Sequence, residues 1–142
     1  MTYETVESSC LGKSGRPDEG DDAIFLGDHL CAVLDGVTSD SVCDCCALSA
    51  GRLAVDAVVE HLETMDPDTG LAEFLRDVQS TLTSWFGSHR VDEAGFAASA
   101  VVWNAARAEL WFVGDCQAYV HGEQVAFPKA IDEAAATVRT AV

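Results

Sequence analysis

The sequence predicts an α+β fold with mainly antiparallel strands, and three observations carry that prediction. Short apolar runs broken by turn residues occupy residues 23–34 and again residues 96–127. Between them lie two longer stretches whose apolar residues recur at three- and four-residue spacing. Strands and helices are therefore segregated along the chain, which is the order of α+β packing and not of alternating parallel units. With 142 residues, the chain has the length of one domain with a real core, and residues 1–142 are read as one domain.

Each element follows from its residues. Thr2 to Ser9 alternates loosely around Tyr3 and Val6 and is expected to form a first strand. Gly12 to Gly20 is rich in Gly, Ser, Pro and charge, reads as a loop, and contains Arg16. Ala23 to Leu26 and Leu30 to Leu34 flank the turn-like Gly27-Asp28-His29, a hairpin pattern. A hairpin brings its two ends together, so Asp21 and Asp35 are expected to meet, with Asp22 alongside. Paired carboxylates beside Gly36, whose backbone can approach closely, suit a hard divalent cation. The competing reading is that acidic residues flank strands simply because strand ends face water.

After the polar loop Val37 to Asp40, Ala47 to Glu63 reads as a helix with Leu48, Val55, Val58, Val59 and Leu62 on one side. Asp66-Pro67-Asp68-Thr69-Gly70 ends it and supplies cap residues for the next element. Leu71 to Phe86 is the clearest helix, with a broad face of Leu71, Phe74, Leu75, Val78, Leu82, Trp85 and Phe86. Gly87 to Gly95 is a polar connection. Strands are expected at Phe96 to Trp103, Glu109 to Val113 and Gln117 to Val120, with a short fourth at Gln124 to Phe127. Asp132 to Val142 reads as a closing helix capped by Asp132.

Composition narrows the functional classes. A net charge of −16, with only Lys13 and Lys129 as lysines, repels nucleic acid and anionic membranes alike. Such a surface suits a salt-rich cytosol, where cations screen self-repulsion. No apolar run is long enough to span a bilayer, and the opening MTYETVESSC lacks the basic start and apolar core of a signal peptide, so a cytoplasmic location is expected. Under cytosolic redox conditions the six cysteines are expected to stay reduced, with Cys31 and Cys116 as small core residues. Cys43, Cys45 and Cys46 lack the paired spacing of a zinc site and read first as packing at the start of a helix, with metal or redox chemistry as the lesser alternative.

The order of these motifs resembles the opening of the metal-dependent protein phosphatase 2C (PPM) family. Arg16, four residues, Asp21, a hairpin and then Val33-Leu34-Asp35-Gly36 match its first acidic step and its Asp-Gly strand end. The small residues from Gly95 to Ala100 and the step Val113-Gly114-Asp115-Cys116-Gln117-Ala118-Tyr119 continue the match, as does the Gly122-Glu123 turn. The resemblance implies a four-layer α-β-β-α sandwich, Mn²⁺ or Mg²⁺ as a binuclear cofactor, and hydrolysis of phosphoserine and phosphothreonine in a phosphoprotein substrate. It implies Asp21 and Asp35 as metal-sharing carboxylates, Asp22 as a second candidate, the Gly36 carbonyl as a backbone ligand and Arg16 as the grip on phosphate. Asp115 reads first as part of a strand-closing turn and second as a further ligand.

Departures from the family pattern set the alternative. Cys116-Gln117 stands where the family has Ser-Arg, and the family continues past this chain's last helix with further metal-binding aspartates. Relative to the family the domain is expected to be incomplete at its C-terminus, with sheet edges open to pairing with another copy. The readings under consideration are therefore a phosphatase, a catalytically silent regulatory or phosphoprotein-binding module of the same fold, and an unrelated acidic α+β domain whose acid pairs are solvated strand ends.

Overall fold

The computed structural model describes residues 3–12, 15, 20–38, 42–89 and 96–125. Strands β1 (Ala23–Leu26) and β2 (Leu30–Gly36) precede helices α1 (Ala50–Thr64) and α2 (Leu71–Ser88), and then come β3 (Ala98–Asn104), β4 (Glu109–Val113), β5 (Ala118–Val120) and β6 (Glu123–Val125). One sheet runs β1-β2-β3-β4, every pair antiparallel, and β5 with β6 forms a separate ribbon. The α+β class with antiparallel sheets is thus as the sequence predicts.

Alternation fixes which sheet face is covered. Along β2, Leu30, Ala32, Leu34 and Gly36 are buried, while Val33 and Asp35 are exposed. The covered face carries Ala100, Val102 and Trp111 from β3 and β4, and it packs against Val55, Val58 and Leu62 of α1 and Phe74 of α2. Apolar residues three and four apart in each helix stack on this face because the helical repeat returns them to one side. Phe74 is the keystone: its ring centroid lies 5.3 Å from Trp111 and 5.9 Å from His61.

The turns are pinned by polar groups. Asn104 is fully buried, yet its Nδ2 donates to the Pro67 carbonyl (2.8 Å) and its Oδ1 accepts from the Arg107 N–H (3.1 Å). One side chain therefore ties the α1–α2 connection to the β3–β4 turn without leaving a buried polar atom unmet. Arg107 grips Glu109 through Nε and Nη2, and Trp111 Nε1 donates to the same carboxylate. The His121-Gly122 turn between β5 and β6 has positive φ at both residues, matching the right-handed twist of the strands it joins.

Strand and helix ends shift by one or two residues at β3 (from Phe96 to Ala98), at β5 (from Gln117 to Ala118) and at the end of α2 (from Phe86 to Ser88), and three further expectations change. Residues 3–9 form no strand; this segment lies along the opposite sheet face near Ile24, Leu26 and Val33, and Tyr3 Oη donates to the Gly27 and Leu30 carbonyls. Side-chain anchoring there replaces the ladder that a strand would need. The first helix starts at Ala50 and not Ala47, because Ala47 has φ 59 inside a tight loop and Ser49 is the cap. The last strand starts one residue early, at Glu123. The helix expected at Asp132 to Val142 lies outside the described residues, and no described helix is long and apolar enough to cross a membrane.

Phe74→Ala should lower unfolding stability by about 3–5 kcal/mol, the range for a large ring removed from a close-packed site. Leu75→Ala, on the exposed flank of the same helix, should cost under about 1 kcal/mol. Urea midpoints of the two variants check the placement of α2.

Candidate functional site

The acidic end of the sheet is shaped first by backbone contacts. A Cβ on Gly36 would stand 2.5 Å from the Asp21 carbonyl oxygen and 2.8 Å from that of Gly51. A Cβ on Gly51 would collide with the Val37 carbonyl. The start of β1, the end of β2 and the first turn of α1 thus cross at a point where side chains have no room.

Register decides which carboxylates face one another. Reading Gly27-Asp28-His29 as a three-residue turn pairs Leu26 with Leu30, and hence Asp21 with Asp35. In the structure the Gly27 N–H donates to the Leu30 carbonyl (2.8 Å), and Leu26 pairs with Cys31. Extended one and two steps past its last pair, Ala23–Leu34, this register would set Asp22 opposite Asp35 and Asp21 opposite Gly36, and the Asp21 carbonyl does lie against Gly36. A one-residue shift exchanges the faces of the sheet. Asp35 lies on the face away from the helices, while Asp21 accepts a hydrogen bond from Ser49 Oγ at the cap of α1.

Ser49 has two tasks. Its Oγ accepts from the Arg52 N–H (3.0 Å), which caps α1, and it donates to Asp21. Arg52 Nη1 reaches the Asp22 carbonyl (3.2 Å) and the Gly20 carbonyl (3.4 Å), while its Nε pairs with Asp56 at 2.9 Å. A helix-borne guanidinium therefore holds the backbone of the acidic step. Sequence reasoning passed over both residues. The signal for Ser49 was a cap residue directly before Ala50, and for Arg52 its i, i+4 partner Asp56.

The row continues across the sheet. Asp35 is paired with Ser99 on β3, and Ser99 Oγ donates to Asp115 Oδ1 (2.7 Å). Gly114 has φ 82, and a Cβ there would strike Ser99, so this turn lies directly against β3. Asp22, Asp35, Ser99 and Asp115 thus cross the sheet at one end. Arg16 lies outside the described residues. Strands are about 4.8 Å apart, so such a row offers oxygen donors in neighbouring pairs and not in converging threes. Accordingly, no three carboxylates among the described residues bring ligand oxygens within 4.8 Å of one another. The donors are all hard oxygens, which fits Mg²⁺ or Mn²⁺ retaining water in several positions.

One group of three does converge, and it is made of sulfur. Cys43, Cys45 and Cys46 hold their Sγ atoms within 4.8 Å of one another, with Cys43 buried and the other two exposed. The Cys43 and Cys45 sulfurs are 2.7 Å apart. The hydrogen bond from Cys45 pulls the Cys43 thiol down to about 7, and the same bond pushes Cys45 up to about 11. The sequence groups these cysteines without a zinc-site spacing; the loop that closes around them brings the sulfurs together.

The fold is similar to the crystal structure of the Mycobacterium tuberculosis serine/threonine phosphatase PstP/Ppp, with a TM-score of 0.51 at 20% sequence identity. The likeness covers 84% of this chain and 53% of that one, so the chain spans about half the length of that phosphatase. It supports the phosphatase-like fold expected from the motif order. No family model matches the chain, and no curated protein matches it.

Ser49→Ala and Asp21→Ala should each cost about 1–2 kcal/mol of stability, through loss of the cap and of the charged hydrogen bond. The double variant should cost measurably less than the two losses combined, because both delete one contact. A double-mutant cycle by urea denaturation checks this.

Proposed function

We propose that this chain carries the first part of a PPM-type phosphatase site and, with a divalent cation, hydrolyses phosphoserine or phosphothreonine in a protein substrate. The observation that supports this reading most is the cross-strand row of Asp22, Asp35, Ser99 and Asp115 on a phosphatase-like fold. Asp22 and Asp35 would hold Mn²⁺ or Mg²⁺ with water in the remaining positions, while Asp21, held by Ser49 at the cap of α1, and the Gly36 carbonyl are ligands that the family resemblance alone implies. A bound cation would lower the pKa of a coordinated water and offset charge on the phosphoryl oxygens.

The chain's own residues do the rest. Ser49 fixes the Asp21 carboxylate, and Arg52 holds the backbone of the acidic step through two carbonyls. Ser99 orients Asp115 by a 2.7 Å hydrogen bond, so the far end of the row does not swing free. Arg16 is assigned to the substrate phosphate, where a guanidinium fork matches two phosphoryl oxygens.

A second reading is favoured by one specific observation. Because no three carboxylates converge among the described residues, cation affinity from this row alone is modest. A catalytically silent module that binds a phosphoprotein would need a grip on phosphate, the role given to Arg16, and no bound cation.

Mn²⁺-dependent release of phosphate from a phosphoserine peptide separates the two. For the phosphatase, Asp35→Asn should lower kcat/KM by about a hundredfold or more, whereas Arg16→Ala should act largely on KM. Peptide binding with no Mn²⁺-dependent turnover supports the binding module. Turnover that survives Asp35→Asn removes Asp35 from the chemistry.

A further inference from the structure

The thiol cluster lies outside the carboxylate row and has its own architecture. Cys43, Asp44, Cys45 and Cys46 sit in a loop that is closed twice by backbone hydrogen bonds. The Cys43 N–H donates to the Leu48 carbonyl at 2.8 Å, and the Ala47 N–H donates to the Cys43 carbonyl at 2.9 Å. A β-bridge between Val42 and Ser49 joins the loop's two ends. Ala47 holds φ 59, a left-handed conformation that costs an alanine about 1 kcal/mol. Such strain at a surface loop persists only where the surroundings over-determine it, and it tends to mark sites.

We infer that Cys43, Cys45 and Cys46 form a three-thiolate site for one soft d¹⁰ cation of the Zn²⁺ or Cu⁺ class. Three sulfurs within 4.8 Å of one another leave a central point within about 2.8 Å of each, close to the roughly 2.3 Å of a zinc–thiolate bond. Thiolates on one ion stand about 3.7–4.0 Å apart, so Cys45 must move about an ångström from its 2.7 Å contact with Cys43. Cys45 is exposed and free of the close packing that holds Cys43. Soft sulfur donors select such ions over Mg²⁺ and Mn²⁺, so the two sites of this chain would take different metals.

Charge and access point the same way. Binding converts up to three thiols to thiolates and releases their protons to solvent, and the ion offsets the negative charge so created. The net charge of −16 raises the local concentration of any cation at the surface. With Cys45 and Cys46 exposed, the coordination sphere is open on its outer side to water or to an external thiol. The loop also ends at Ser49, which holds Asp21, so an ion clamping Cys43 to Cys46 stiffens the segment that presents that hydrogen bond.

Titrating the reduced full chain anaerobically with Cd²⁺ tests the site, followed by Zn²⁺ as competitor. One equivalent of Cd²⁺ should raise the ultraviolet sulfur-to-cadmium charge-transfer band and protect three of the six thiols from alkylation. Excess Zn²⁺ should remove the band while keeping the protection. Cys45→Ser and Cys46→Ser, both at exposed positions, should each weaken Cd²⁺ binding at least about tenfold, and Cys116→Ser should leave it unchanged. Absence of the band overturns the inference, as does a band that survives in both exposed-cysteine variants. So does protection by way of a Cys43–Cys45 disulfide, seen as a loss of two hydrogens in mass without bound metal. Mn²⁺-dependent phosphatase activity is not read, so the result stands apart from the fate of the carboxylate reading.

Discussion

The close crossing of three backbones at Gly36, Asp21 and Gly51 is the constraint on which the rest of the structure depends. It sets the first turn of α1 against the end of β2, and α1 in turn carries the apolar residues that cover the sheet. The same crossing delivers Ser49 to Asp21 and Arg52 to the carbonyls of Gly20 and Asp22. Core and site therefore share one joint. A side chain at either glycine would push the helix off the sheet and would separate the acidic step from the groups that orient it.

Much of this was legible in the residues. The α2 pattern gave its start at Leu71, β4 matched residue for residue, and the hairpin and its acidic ends were visible from alternation and turn residues. These are features in which local periodicity and burial agree. What escaped was parity. Gly27-Asp28-His29 admits two turn lengths, and choosing between them depends on whether the Gly27 N–H reaches Leu30, a contact that the order of residues does not specify. That single bond moves the partner of Asp35 from Asp21 to Asp22.

The thiol cluster was legible as a group of cysteines, with metal chemistry as its lesser reading, but its convergence was not. Metal spacing rules describe ligands carried by turns of known shape, whereas Cys43, Cys45 and Cys46 converge because a bridge between Val42 and Ser49 folds their loop shut. The first strand expected near Tyr3 failed in the opposite sense. Its alternation was real, but this segment is held by the Tyr3 hydroxyl and not by a ladder. Alternation shows which side of a segment is apolar; a strand also needs a neighbour.

The pairing of β2 with β3 has a consequence for how the molecule assembles. The β1–β2 and β3–β4 pairs join residues close in sequence, so each hairpin can close with little loss of chain entropy. Gly36 and Ala98, by contrast, are about sixty residues apart, and both helices lie in the loop between them. Zipping these central strands is the slow, non-local step of the topology. Asp35 meets Ser99 only through this non-local pairing, and because Gly36–Ala98 and Asp35–Ser99 close the shortest loops between the two strands, the acidic end is where the central pairing costs least to begin.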